Sequence, residues 1–177
     1  MFDKNMLKSI WVLLFLIPLM SNAQEPNGGG FPNNTIYISS LGQPENVVAI
    51  NYERRLFSFN GISTFASIGA GHSIPDRYNG GAKWYEFPAG LSFVTGKTNH
   101  HFELAAGYGV VKYYNRAIQG HNESVIKVTG GYRLQRPNAK GLSLRLALGP
   151  AFSSYWDGDY RVSRTSASAS AGLGYSF

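Results

Sequence analysis

Residues 166–177 read SASASAGLGYSF. Ala167, Ala169, Ala171, Leu173, Tyr175 and Phe177 fall on one set of alternate positions; Ser166, Ser168, Ser170, Gly172, Gly174 and Ser176 fall on the other. Successive strand side chains point to opposite faces, so this segment is a strand with one apolar face and one face of very small residues. A soluble sandwich buries its bulky face and charges the other. Here the second face is small, which suits the crowded lumen of a narrow barrel, and the apolar face then looks outward toward lipid.

The same alternation runs back through the chain. Leu142, Leu144, Leu146, Leu148 and Phe152 oppose Ser143, Arg145, Ala147, Gly149 and Ser153; Ile126, Val128, Tyr132 and Leu134 oppose Lys127, Thr129, Gly131 and Arg133. Phe102, Leu104, Ala106, Tyr108 and Val110 oppose Glu103, Ala105, Gly107 and Gly109, and Tyr85, Phe87, Ala89, Leu91 and Phe93 oppose Trp84, Glu86, Gly90 and Ser92. Further upstream, Ile62, Ala66 and Ile68 oppose Ser67 and Gly69, and Val48, Ile50 and Tyr52 oppose Ala49, Asn51, Glu53 and Arg55. A first short strand covers about Thr35 to Leu41, with faces that the pattern leaves open.

The total is eight strands in residues 34–177, an even number, with spans of about nine to eleven residues that match a tilted membrane strand. The links Phe57–Gly61, Gly96–His100 and Arg136–Gly141 are short and rich in turn formers, while Ser73–Lys83, Tyr114–Glu123 and Trp156–Thr165 are longer. Short periplasmic turns alternating with longer outer loops is the outer-membrane arrangement, although Gly42–Asn46 is a short link on the outer side. Trp84, Tyr85, Tyr113, Tyr114, Tyr155 and Trp156 would form an outer aromatic girdle, and Phe57, Phe93, Phe102, Tyr175 and Phe177 an inner one. The expected fold is all-β: an eight-stranded antiparallel up-and-down transmembrane barrel.

The start of the chain reads as an export signal. Lys4 and Lys8 precede the apolar run IWVLLFLIPLM from Ile10 to Met20, and Ser21-Asn22-Ala23 supplies small residues for cleavage before Gln24. The run is well short of the roughly 20 residues a spanning helix needs. Residues 1–23 are therefore expected to be a signal peptide and 24–33 an N-terminal extension. Cysteine is absent, so neither a lipid-anchored cysteine nor a disulfide is available. The net charge of +6 comes without any Lys/Arg run, which argues against nucleic-acid binding.

The terminal GLGYSF, with Leu173, Tyr175 and Phe177 on alternate positions, resembles the C-terminal signal read by the barrel-assembly machinery. The segments NYERRL, PAGLSFVTGKTNHHFEL and GYRLQRPNAKG resemble a group of small outer-membrane β-barrel proteins over most of residues 46–177. More distantly, the architecture is similar to OmpX and the membrane domain of OmpA. The resemblance implies a cell outer-membrane location and contact with outer-membrane lipid, including lipopolysaccharide. It implies no particular activity.

Four constellations are candidates for function. Face assignment puts Glu53, Arg55, Glu86, Glu103, Lys127, Arg133 and Arg145 inside, where a barrel of this size is filled by side chains and buried charges must pair. Glu103, Arg133 and Arg145 fall at similar heights near the periplasmic end, and they are expected to cluster there with Glu53 and Arg55. Hydrolytic chemistry needs a hydroxyl, a base and an orienting acid. The weak catalytic candidates are His72, Ser73 and Asp76, and His121, Glu123 and Ser124; neither set reproduces the His-x-Ser-Asn pattern of lipid A deacylases. His100 and His101 are adjacent and point to opposite faces, which disfavours a shared metal, and Asp157 and Asp159 read as a solvated loop; no metal or cofactor is expected. Finally, Arg77, Tyr78, Arg116, Trp156, Tyr160, Arg161 and Arg164 give the outer loops residue types common in binding hot spots. A structural or surface-interaction barrel leads. A lipid-modifying enzyme, lipid A deacylase-like or acyltransferase-like, is the first alternative and a narrow channel the second. A soluble lipocalin-like barrel would need the reverse distribution of faces.

Overall fold

The computed structural model describes residues 31–42, 47–73, 83–96, 98–114, 122–136, 140–157 and 159–177. They form eight strands: β1 (Asn34–Gly42), β2 (Val47–Phe59), β3 (Ile62–Ser73), β4 (Lys83–Thr95), β5 (His100–Tyr114), β6 (Asn122–Gln135), β7 (Gly141–Asp157) and β8 (Tyr160–Ser176). Each pairs antiparallel with the next, and β1 also pairs with β8, closing the sheet into an up-and-down barrel without an edge. No helix among the described residues is long and apolar enough to cross a membrane. Asn34 and Phe177 meet at one end of the barrel, the near end, opposite the far end.

The alternation read from the sequence sets the faces. Ile50, Ile68, Phe87, Leu91, Phe102, Leu104, Ile126, Leu146 and Leu173 are all exposed. On the same strands Asn51, Glu53, Glu86, Ser92, Glu103, Arg133, Ser143 and Arg145 are buried. Polar groups inside and large apolar groups outside is the reverse of a protein folded against water, and it is stable where the surrounding medium is itself apolar. On β1, whose faces the sequence left open, Ile36 and Ile38 point outward while Thr35 and Ser39 are buried.

Small residues inside let the wall close tightly. A Cβ on Gly149 of β7 would collide with the Val128 carbonyl oxygen of β6, and one on Gly131 with the Leu146 carbonyl oxygen. Both obstacles are backbone, so neither can swing aside. Gly149→Val should therefore destabilise the barrel by about 1–3 kcal/mol through overpacking. Urea titration in lipid vesicles, read by the heat-modifiable shift on gels, checks this.

At the near end Asn60 (φ 49°) and Gly61 (φ 80°) both lie in the left-handed region, as a two-residue type I′ turn between β2 and β3 demands. Three expectations need correction. Apart from β1, with nine residues, the strands run longer than nine to eleven residues, up to 17 in β7 and β8. The link expected over Trp156–Thr165 is mostly strand: Trp156 pairs with Arg161 and Asp157 with Tyr160, so β7 and β8 continue as a ribbon. His100, expected in a turn, opens β5. The proposed leader, Asp76, Arg77, Tyr78, Arg116 and His121 lie outside the described residues.

Candidate functional site

The lumen is organised from the near end upward. Arg133 of β6 is fully buried and reaches across to β2 and β5. Its Nε and Nη2 donate to Glu103 at 2.8 and 3.0 Å, and its Nη1 and Nη2 donate to Glu53 at 3.0 and 3.0 Å. Nη1 also donates to Gln135 Oε1 at 3.2 Å. A guanidinium has five N–H donors in a fixed fork, so this one is saturated, with two bidentate carboxylates.

Arg145 of β7 sits directly opposite Arg133 in the register. Like charges directly opposed repel. Here the two carboxylates stand between them: Arg145 donates to Glu53 and lies 3.5 Å from Glu103. Two acids and two bases thus neutralise one another, and Ser92 donates to Glu53 at 3.4 Å. Aromatic rings cover the guanidinium faces, Phe65 at 4.7 Å from Arg133 and Tyr37 at 4.3 Å from Arg145, so the cations are held by π-systems where acids are not.

Below this cluster the near mouth is stopped by an apolar group of Phe31, Phe65 and Val94. Phe31 contacts His101 edge-on at 4.4 Å, and His101 Nε2 donates to the Gln135 carbonyl at 2.9 Å. Phe31 precedes β1, and its ring is buried in the mouth. Above the cluster a lumenal cavity of about 160 Å³ is lined by small polar side chains such as Ser39, Asn51, Ser67, Thr129 and Ser168. Lys127 and Glu86 form a second pair across it at 2.8 Å. Val47, Val111, Val125 and Ala151 then make an apolar stopper at the far end.

The structure brings together four of the seven sequence-selected lumen residues, Glu53, Glu103, Arg133 and Arg145, and sets Glu86 and Lys127 apart as a pair. Arg55 does not join. The register shifts between Arg55 and Phe57, and the Arg55 side chain donates to Asn33 Oδ1 at 2.7 Å on the near rim. Phe31, Tyr37, Phe65, His101 and Gln135 were missed. Phe65 and Gln135 share the parity of their strands' small or charged faces, so the alternation alone marks them as lumenal.

Of the weak catalytic candidates, His72, Ser73, Glu123 and Ser124 lie among the described residues. His72 faces outward against Tyr85, while Ser73 is fully buried on the opposite face. Glu123 and Ser124 likewise alternate, and the Ser124 hydroxyl is 3.1 Å from that of Tyr108. His100 hydrogen-bonds the Tyr132 hydroxyl on the outer wall, away from His101. No group of three metal-ligating side chains is found among the described residues. On the far-end ribbon Trp156 and Tyr160 are widely exposed, Arg161 donates to Ser154 at 3.1 Å, and Arg164 donates to the Tyr155 hydroxyl at 2.8 Å.

No protein-family model and no curated protein matches the sequence. Among solved structures, Neisserial surface protein A (NspA) is similar at 10% identity and a TM-score of 0.50, over 86% of this chain and 100% of that one. Ail, the attachment invasion locus protein of Yersinia pestis, aligns at 12% identity and a TM-score of 0.44, over 83% of this chain and 100% of that one. The outer membrane enzyme PagL aligns at 12% identity and a TM-score of 0.40, over 81% and 97%. At such identities the likeness concerns the fold: this chain is a small eight-stranded β-barrel of the outer-membrane type.

Proposed function

We propose that the protein is an integral outer-membrane barrel with a closed lumen, its near end in the periplasm, and that it acts through its far-end surface rather than by conduction. The carrying observation is the stacked closure of the lumen by the Phe31 stopper, the saturated Arg133 cluster and the far-end valines. A conduit would need a continuous polar path, and an eight-stranded barrel is just wide enough for its own side chains. The far ribbon, with Trp156, Tyr160, Arg161 and Arg164, offers the residue types that anchor surface partners. Export behind a leader ending at Ala23 belongs to the same reading.

Reconstituted in planar bilayers, the purified protein should give no stable open level. A Phe31→Ala variant should stay closed too, because the ionic cluster seals the lumen above that ring. Discrete, long-lived conductance steps from the unaltered protein would refute the closed lumen.

We also read Leu173, Tyr175 and Phe177 as the signal for barrel assembly. Deleting Phe177 should lower outer-membrane levels several-fold while the exported chain still reaches the periplasm. Fractionated cells give the answer, and unchanged membrane levels would place the signal elsewhere.

A further inference from the structure

The lipid-facing wall is not uniform at its far end. Ala70 of β3 faces outward between its register partner Ile50 of β2 and Phe87 of β4. Ile50 is 61% and Phe87 50% exposed, so two tall side chains flank a floor made of one methyl group. The result is an apolar groove running up the wall, with Val48, His72 and Tyr85 at its upper end.

There the chemistry changes. The His72 ring stands edge-on to Tyr85 with centroids 4.8 Å apart. Tyr85 is in turn the register partner of Lys112 on β5, which is exposed. Adjacent strands lie about 4.8 Å apart, so the His72 and Lys112 backbones are separated by roughly 10 Å across Tyr85. The flexible lysine stem shortens that gap. Charge is sorted as well. Glu53, Glu86, Glu103 and Glu123 all take lumen-side positions in their strands, whereas Lys112 and Arg161 take outward positions near the far rim. Among the described residues, Lys112 is thus a cation set where the wall beside the groove leaves the apolar belt.

An apolar trough topped by a lysine, an imidazole and a phenol complements an amphipathic anion. A soluble anion would leave the trough unused, and a neutral lipid would leave Lys112 unused. We propose that this groove binds one phosphorylated glycolipid of the outer leaflet, a lipopolysaccharide, with an acyl chain between Ile50 and Phe87 and a phosphate between Lys112 and His72. The choice of outer leaflet rests on the orientation proposed above. Lysine serves phosphate as a mobile point charge, and a charge-assisted hydrogen bond in a half-desolvated place is among the stronger polar contacts.

The test uses the full barrel in phosphatidylcholine nanodiscs, titrated with lipopolysaccharide, with phosphatase-treated lipopolysaccharide and with phosphatidylglycerol. Binding is read by native mass spectrometry, and heat-modifiable migration is read on the same samples. Dephosphorylation and Lys112→Ala should each weaken binding about tenfold or more. Ala70→Leu, which fills the trough and keeps every polar group, should weaken it several-fold. Lys140→Ala, at an exposed cation of the near end, should leave it unchanged. Equal affinity for phosphatidylglycerol, or unaltered binding by either Lys112→Ala or Ala70→Leu, would overturn the site. If the barrel inserts and migrates normally but fails these comparisons, only this inference falls. If it fails to insert, the membrane reading falls with it.

Discussion

Replacing Arg133 with Leu should cost the barrel on the order of 3–5 kcal/mol, because it leaves two buried carboxylates with one remaining cation between them. Glu53 and Glu103 each lose a bidentate partner, while Arg145 reaches both only through one nitrogen. The cost comes from stranding charge rather than from losing attraction. A carboxylate in a lumen that it cannot leave has no bulk water to fall back on. Adding Glu103→Gln to Arg133→Leu should then recover part of the loss, since one stranded charge is gone. The measurement is the urea midpoint of the folded, heat-modifiable band in lipid vesicles, for each single variant and the pair. Strict additivity would mean that the two residues do not share a site, contrary to the 2.8 Å contact between them. A loss below about 1 kcal/mol for Arg133→Leu would show that the cluster is freely hydrated, as surface pairs are.

Leu146→Arg should remove about 2–4 kcal/mol and most of the assembled protein. Leu146 faces outward on β7, five residues above Gly141, which places it near the middle of an apolar belt about 25 Å tall. Its register partners are Tyr132 and Ala171, so an arginine there has no acid within its neighbourhood on the wall. The side chain would have to snorkel or thin the bilayer. Arginine at Trp156, on the ribbon beyond the belt, is the matched control and should assemble normally. Folding yields into vesicles, scored as the fraction of heat-modifiable protein, distinguish the two. Equal yields would mean that the wall at Leu146 does not face lipid.

The membrane belt was legible in the sequence because lipid enforces period two. From β4 to β8, Leu, Phe and Tyr alternate with Gly, Ser and charge, and the eight strands and their faces follow. The ion cluster was legible for the same reason, since parity gives the face and distance from the turn gives the height. What failed did so where lipid no longer imposes a pattern. Above the belt Arg161-Val162-Ser163-Arg164-Thr165 lacks the apolar alternation, so it reads as a loop although its backbone pairs with Trp156 back to Phe152 of β7. Arg55 has lumen parity, but the shift in register before Phe57 breaks the count and hands it to Asn33. β1 was ambiguous because Tyr37, a girdle-type residue, points inward to cover Arg145. Phe31 carried no periodic signal at all, since it plugs the mouth from outside any strand.

The seam between β1 and β8 sets the order of events during folding. Asn34 and Phe177 exchange backbone hydrogen bonds at 3.1 and 2.9 Å, and Thr35 and Ser176 join hydroxyls at 2.9 Å across a separation of 141 residues. Every other strand pair is a hairpin between neighbours in the chain, whereas this one gains nothing until the whole intervening stretch is in place. Loop-closure entropy rises slowly with length, so its penalty is affordable only once the seven local pairings have shortened the effective loop. Zipping of hairpins should therefore precede a late, single closing step. Until that step both β1 and β8 present open edges on which another chain could pair, so the interval before closure is when this protein is most exposed to aggregation.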